Sequence, residues 1–80
     1  MGEVLSRLRW QCRRGTRELD ELLLGYLEAH YPQAGEAEKA EFQALLSLPD
    51  PELIGYLLQG RTPVPEFADV VHAILRKARA

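Results

Sequence analysis

Apolar positions recur with helical spacing along nearly the whole chain. Val4, Leu5, Leu8 and Cys12 follow i, i+1, i+4, i+8 and predict a first helix of about three turns. Gly15 interrupts it. Leu19, Leu22, Leu23, Tyr26, Leu27 and His30 then form an amphipathic stripe at i, i+3, i+4, i+7, i+8, i+11. Pro32 and Gly35 end that second helix. A third is predicted over 36–48, with Ala37, Phe42, Leu45 and Leu46 inward. Its first turn carries Glu36 and Glu38, where the helix dipole favours acids. Asp50–Pro51 opens a fourth helix, with Asp50 as its cap and Pro51 at the first helical position. Leu53, Ile54, Leu57 and Leu58 give it an apolar face, and Gly60 suits its C-terminal cap. Pro63 and Pro65 mark an extended connection. The last helix carries Phe67, Val70, Val71, Ile74, Leu75 and Ala78 on one face, and Arg76, Lys77 and Arg79 in its last turn. No window alternates with period two. The pattern predicts an all-α protein, a compact five-helix bundle forming a single domain over residues 1–80.

Composition narrows the function classes. The chain has 80 residues, 46% hydrophobic and 28% charged, enough for one small core and too apolar for intrinsic disorder. Its single cysteine, Cys12, excludes an internal disulfide framework and a cysteine-built zinc site. No uncharged run approaches a membrane span. Glu3, Arg7 and Arg9 make the N-terminus too polar for a signal peptide.

The net charge of −2 hides a strong asymmetry. Residues 1–17 hold Arg7, Arg9, Arg13, Arg14 and Arg17 against Glu3, a local charge of +4. Residues 18–69 carry −9 and residues 70–80 carry +3. An arginine-only cluster at one end is either an anion or acidic-partner site, or a solvated helix face. The acidic middle opposes a phosphate backbone, and no nucleic-acid-binding motif is present.

Candidate chemistry is thin. A nucleophile needs a base and an orienting group within hydrogen-bond reach. Cys12 falls on the apolar stripe, so a buried inert thiol is expected. His30 and His72 read as positions on amphipathic helices. Neither G-x-G-x-x-G nor G-x-x-x-x-G-K-[ST] occurs. A self-sufficient active site is not expected.

The informative segment is Arg7 to Asp20, R-L-R-W-Q-C-R-R-G-T-R-E-L-D. If the first helix reaches Arg14, then Arg7, Trp10 and Arg14 share one face at i, i+3, i+7. A tryptophan flanked by arginines outside the core has the composition of a binding hot spot. It equally fits a tryptophan closing the bundle edge under snorkelling arginines. With Gly15 as N-cap, Glu18 reaches back to the Gly15 N–H as half of a capping box. Glu18 can also pair with an arginine. Arg14, just before a tight turn, is expected to project away from both helices.

The same segment resembles the SdhE family of succinate dehydrogenase assembly factors, whose hallmark is R-G-x-x-E. Arg14, Gly15 and Glu18 match it, with Trp10, Cys12, Arg13, Leu19 and Asp20 as flanking matches. Later landmarks are Glu28–Ala29–His30–Tyr31, Glu38–Lys39–Ala40–Glu41–Phe42, Leu45–Leu46, Asp50–Pro51–Glu52–Leu53 and Tyr56–Leu57. The resemblance covers residues 5–76. It implies a five-helix assembly chaperone, not an enzyme, that binds the flavoprotein subunit of succinate dehydrogenase. It implies that the chaperone promotes covalent attachment of FAD to that partner, and related proteins also serve fumarate reductase. Residue by residue, it assigns Arg14, Gly15 and Glu18 to the partner interface, with Arg7, Trp10, Arg13 and Asp20 flanking. FAD then resides on the partner, and this chain holds no cofactor stably and no metal. The free protein is expected to be monomeric. The motif begins almost at Met1, with no Arg- and Ser-rich leader, so a bacterial cytoplasmic location is expected. Two other readings compete: a generic helical adaptor, which includes the antitoxin label carried by some relatives, and a direct FAD binder using the arginines on pyrophosphate.

Overall fold

The computed structural model describes residues 2–79, with side chains to Ala78, and consists of helices throughout. They are α1 (Gly2–Gln11), α2 (Arg17–Ala29), α3 (Glu36–Leu46), α4 (Asp50–Leu57) and α5 (Pro65–Arg79). A short 3₁₀ turn, Tyr31–Gln33, follows α2. The predicted five-helix all-α architecture is therefore observed. The Cα radius of gyration is 11.4 Å, and a compact 80-residue domain is expected near roughly 11.6 Å.

The two strongest stripes make the centre. On α2, Leu19, Leu23, Tyr26 and Leu27 are buried. On α5, Val70, Val71 and Ile74 face them. Phe42, Leu45 and Leu46 of α3 and Leu53, Tyr56 and Leu57 of α4 complete one contiguous core. Aromatic rings fill its middle: Tyr26 and Phe42 lie 4.8 Å apart and Phe42 and Tyr31 5.6 Å apart, centroid to centroid. The polar ends of Tyr26 and Tyr31 are tied to α3. The Tyr26 hydroxyl donates to Glu38 at 2.5 Å, and Gln43 donates to the Tyr31 hydroxyl at 2.8 Å.

Several expectations are corrected in detail. Val4 is exposed, because Leu8 is the only buried residue of α1, with Cys12 just beyond its end. Ala37 and Ala78 are exposed, and Leu58 lies at the exposed C-terminal end of α4. Single small or terminal residues on a periodic stripe are the easiest to leave in solvent. Helix α3 stops at Leu46, short of Leu48, because Ser47 and Leu48 turn the chain toward Pro49. Helix α4 begins at Asp50, with Pro49 in the cap position, so Asp50 caps nothing and its carboxylate is free to look elsewhere. Gly60 takes φ +71°, and the Arg61 N–H returns to the Gly55 carbonyl at 2.9 Å, so the expected glycine stop after α4 is observed. The expected cationic role of Arg79 lies outside the described side chains.

Substituting the fully buried Leu23 by alanine is expected to destabilise the fold by about 2–5 kcal/mol, the cost of a core cavity. The same change at Leu58 should cost about 1 kcal/mol or less. Urea denaturation of both variants checks the contrast.

Candidate functional site: the α1–α2 turn

Everything the sequence singles out converges on residues 7–20. Helix α1 ends at Gln11, and the Arg13 N–H closes the last turn on the Trp10 carbonyl at 3.1 Å. The chain then reverses through Gly15, whose φ of +85° lies in the region that L side chains avoid. Helix α2 begins at Arg17, with Thr16 in the cap position and no side-chain cap. The expected capping box is therefore not formed. Starting the helix one residue later moves Glu18 to its second position, where it stays exposed and makes no hydrogen bond among the described residues. Asp20 does the local work instead: its carboxylate accepts the Arg14 N–H at 2.7 Å and pins the turn to α2.

Arg14 reverses expectation most clearly. It does not share a face with Arg7 and Trp10, because α1 ends three residues before it. Nor does it project away from both helices. Its guanidinium turns inward, with the side chain only 16% exposed. One terminal nitrogen donates to the Leu46 carbonyl. The other reaches the Leu48 carbonyl at 3.5 Å and the Asp50 carboxylate at 3.4 Å. Nε is buried without a partner. The physical reason lies at the end of α3. Four carbonyls at a helix C-terminus lack intrahelical partners and attract cations, and α3 has no basic residue in its own last turn. Arg14 supplies the missing cation from 32 residues away.

The five-arginine cluster thus divides three ways. Arg14 is internal. Arg9 pairs with Glu28 at 3.7 Å and Arg17 with Glu21 at 3.6 Å, both on the surface. Exposed pairs of this kind contribute about 0–1 kcal/mol. Arg7 and Arg13 are exposed and make no ion pair among the described residues. Trp10 stands between these two in sequence and is 73% exposed, so it does not close the bundle edge. Gly15 has nothing within 4 Å of where a Cβ would stand, which leaves the crest of the turn open. Glu18 borders a shallow hollow of about 400 Å³ with Glu21, Leu22, Leu58 and Ala78. The result is an exposed rim of Arg7, Trp10, Arg13, Gly15 and Glu18, with Arg14 and Asp20 beneath it.

Covalent chemistry finds no support in Cys12. The thiol is fully buried. Burial pushes its pKa up to about 12, against the smaller lowering influence of Arg14. The expected burial of the thiol is observed. His30 is exposed and stacks on Tyr26 at 6.0 Å. His72 opens on a separate hollow between α3 and α5, beside Glu38, Asp69, Leu75 and Arg76. No group of three or more metal-ligating side chains comes together among the described residues.

Residues 6–78 match the family described as flavinator of succinate dehydrogenase. The chain belongs to that family. It is 36% identical over 74 residues to the FAD assembly factor SdhE of Haemophilus ducreyi, covering 92% of this chain and 87% of the relative. It is 41% identical over 77 residues to that of Coxiella burnetii, covering 92% and 94%. The SdhE of Idiomarina loihiensis is 32% identical over 74 residues, covering 91% and 82%. No solved structure matches the chain. In this member of the flavinator family, Asp50 and the α3–α4 corner belong to the motif's surroundings, which motif spacing does not reveal. Asp50 is 36 residues from Arg14 and reads in sequence as an ordinary helix cap.

The Cys12 thiol ordinarily ionises near 9.0 and is held protonated in the fold to about 12. The unfolded chain therefore loses this proton first, and folding stability should decline as pH rises from 9 toward 12. Burial and the Glu38 hydrogen bond also raise the Tyr26 phenol, which adds to the decline above its usual pKa of 10.0. Thermal melts across this range should show a falling midpoint, with a weaker fall between pH 9 and 10 in Cys12→Ala. The native protein should resist thiol-specific reagents until it is unfolded.

Proposed function

We propose that the chain binds the flavoprotein subunit of succinate dehydrogenase and promotes its covalent flavinylation with FAD. It is an assembly helper and not the catalyst of electron transfer. The observation that carries this reading is the exposed rim on the α1–α2 turn, in a chain of the flavinator family. Trp10 supplies apolar area, the exposed Arg7 and Arg13 supply positive charge, and Glu18 supplies a carboxylate. Exposed aromatic and arginine residues of this kind anchor protein interfaces. Gly15 lets the partner's backbone approach the crest closely.

The bond to be made joins a histidine nitrogen of the flavoprotein to the flavin 8α-methyl carbon. One methyl C–H bond and the histidine N–H bond break, and both hydrogens and the electron pair end on the flavin ring, which is itself the oxidant and is left reduced. Both reacting groups belong to the partner. The helper acts by binding one domain arrangement of the flavoprotein, in which histidine and flavin stay in near-attack geometry. No acid or base from this chain is required, so the attachment is autocatalytic on the partner once it is held. FAD is held by the partner, and fumarate reductase is a second client by the same docking. The free protein acts as a monomer. A bacterial cytoplasmic setting fits the bacterial relatives. No described helix is long and apolar enough to cross a membrane.

In a strain lacking its own assembly factor, the wild-type chain should restore covalent flavin on the flavoprotein, read as in-gel fluorescence. Gly15→Arg adds bulk to the crest and strains a φ of +85°; Glu18→Ala removes an exposed carboxylate. Both should lower covalent flavin about tenfold or more, a loss of roughly 1.4 kcal/mol or more of docking energy. Glu18→Ala should leave helicity unchanged. Full flavinylation with both variants, or a flavin absorbance shift on mixing the purified chain with FAD alone, contradicts this reading.

A further inference from the structure

We infer, on the basis of that docking reading, that Arg14 is a positioning residue and not a partner contact. It shapes the exposed rim by clamping the α1–α2 turn to the α3–α4 corner, and Asp50 is the other half of the clamp.

The bonding of Arg14 leaves it little to offer a partner. A guanidinium recognises carboxylates through a two-pronged edge. Here both terminal nitrogens are occupied inside the protein, by Leu46, Leu48 and Asp50, and Nε is buried. The residue is held at both ends. Its main-chain N–H bonds Asp20 on α2, while its side chain bonds the end of α3 and the start of α4. One residue therefore ties three elements together immediately before Gly15. Gly15 has no side chain with which to fix its own conformation, and no atom beyond its chain neighbours lies within 4 Å of where its Cβ would stand. The clamp on its neighbour is what holds the turn, and with it the spacing from Arg13 to Glu18. A carboxylate outside R-G-x-x-E thereby becomes part of the docking apparatus without touching the partner.

The test compares Arg14→Ala, Asp50→Ala and the double variant, with Glu18→Ala as reference. The first readout is the helper concentration that gives half-maximal covalent flavin on purified apo-flavoprotein. The second is amide hydrogen exchange across residues 13–20 and across the core of α2. Arg14→Ala and Asp50→Ala should each raise the half-maximal concentration about three- to tenfold and keep the plateau, and the double variant should match Arg14→Ala alone. Exchange should quicken at 13–20 and stay slow around Leu23 and Tyr26. Three outcomes overturn the inference: Asp50→Ala behaving as wild type, penalties that multiply, or exchange rising equally through the core. Should Arg14→Ala fail to fold, Asp50→Ala and Asp20→Asn carry the same comparison. If wild type itself yields no covalent flavin, the docking reading fails, and the exchange data still decide whether Arg14 and Asp50 hold the turn.

Discussion

The Arg14 guanidinium solves two problems at once. Helix α3 ends without a cation of its own, at carbonyls that its helix cannot satisfy. The α1–α2 turn needs an anchor, because it passes through a left-handed glycine. A single side chain bridges the two, and Asp50 balances its charge. Taking an arginine largely out of water costs several kcal/mol unless acceptors surround it. The acceptors at Leu46, Leu48 and Asp50 offset that cost only when α3, α4 and the turn are in register. The bond is thus both a consequence of the fold and a constraint on it.

The core beneath obeys simpler rules. Helices α2 and α5 have the cleanest apolar stripes, and they pack against each other at the centre. Their i, i+3, i+4, i+7 spacing survives translation into burial at Leu19, Leu23, Leu27, Val70, Val71 and Ile74. Expectations fail at stripe margins, where Val4, Ala37, Leu58 and Ala78 bury too little area to decide their own orientation. They also fail for Tyr31, which periodicity does not mark. It is buried because the 3₁₀ turn after α2 swings it onto Phe42. The division matches the energetics: large apolar side chains fix helix orientation, and small or terminal ones follow.

The candidate segment was legible in outline. The clustering of arginines around one tryptophan and one glycine marked residues 7–20, and the rim they form is exposed. The roles within it were less legible. Five arginines of one residue type look alike in sequence, yet one is internal, two are paired on the surface and two make no ion pair among the described residues. Glu18, a plausible cap, is left open to solvent because α2 starts one residue late. Asp20 takes over the local bond.

By itself the sequence determined what local spacing controls. Helix number and order, the glycine stop at Gly60, the burial of Cys12 and the location of the candidate surface all follow from periods and residue types within a few turns. The tertiary structure alone decided which way Arg14 points. That direction depends on where the end of α3 lies relative to the α1–α2 turn, and on a carboxylate 36 residues away. Hydrophobic periodicity is a property of neighbouring residues. A hydrogen bond between distant segments is a property of how finished helices meet.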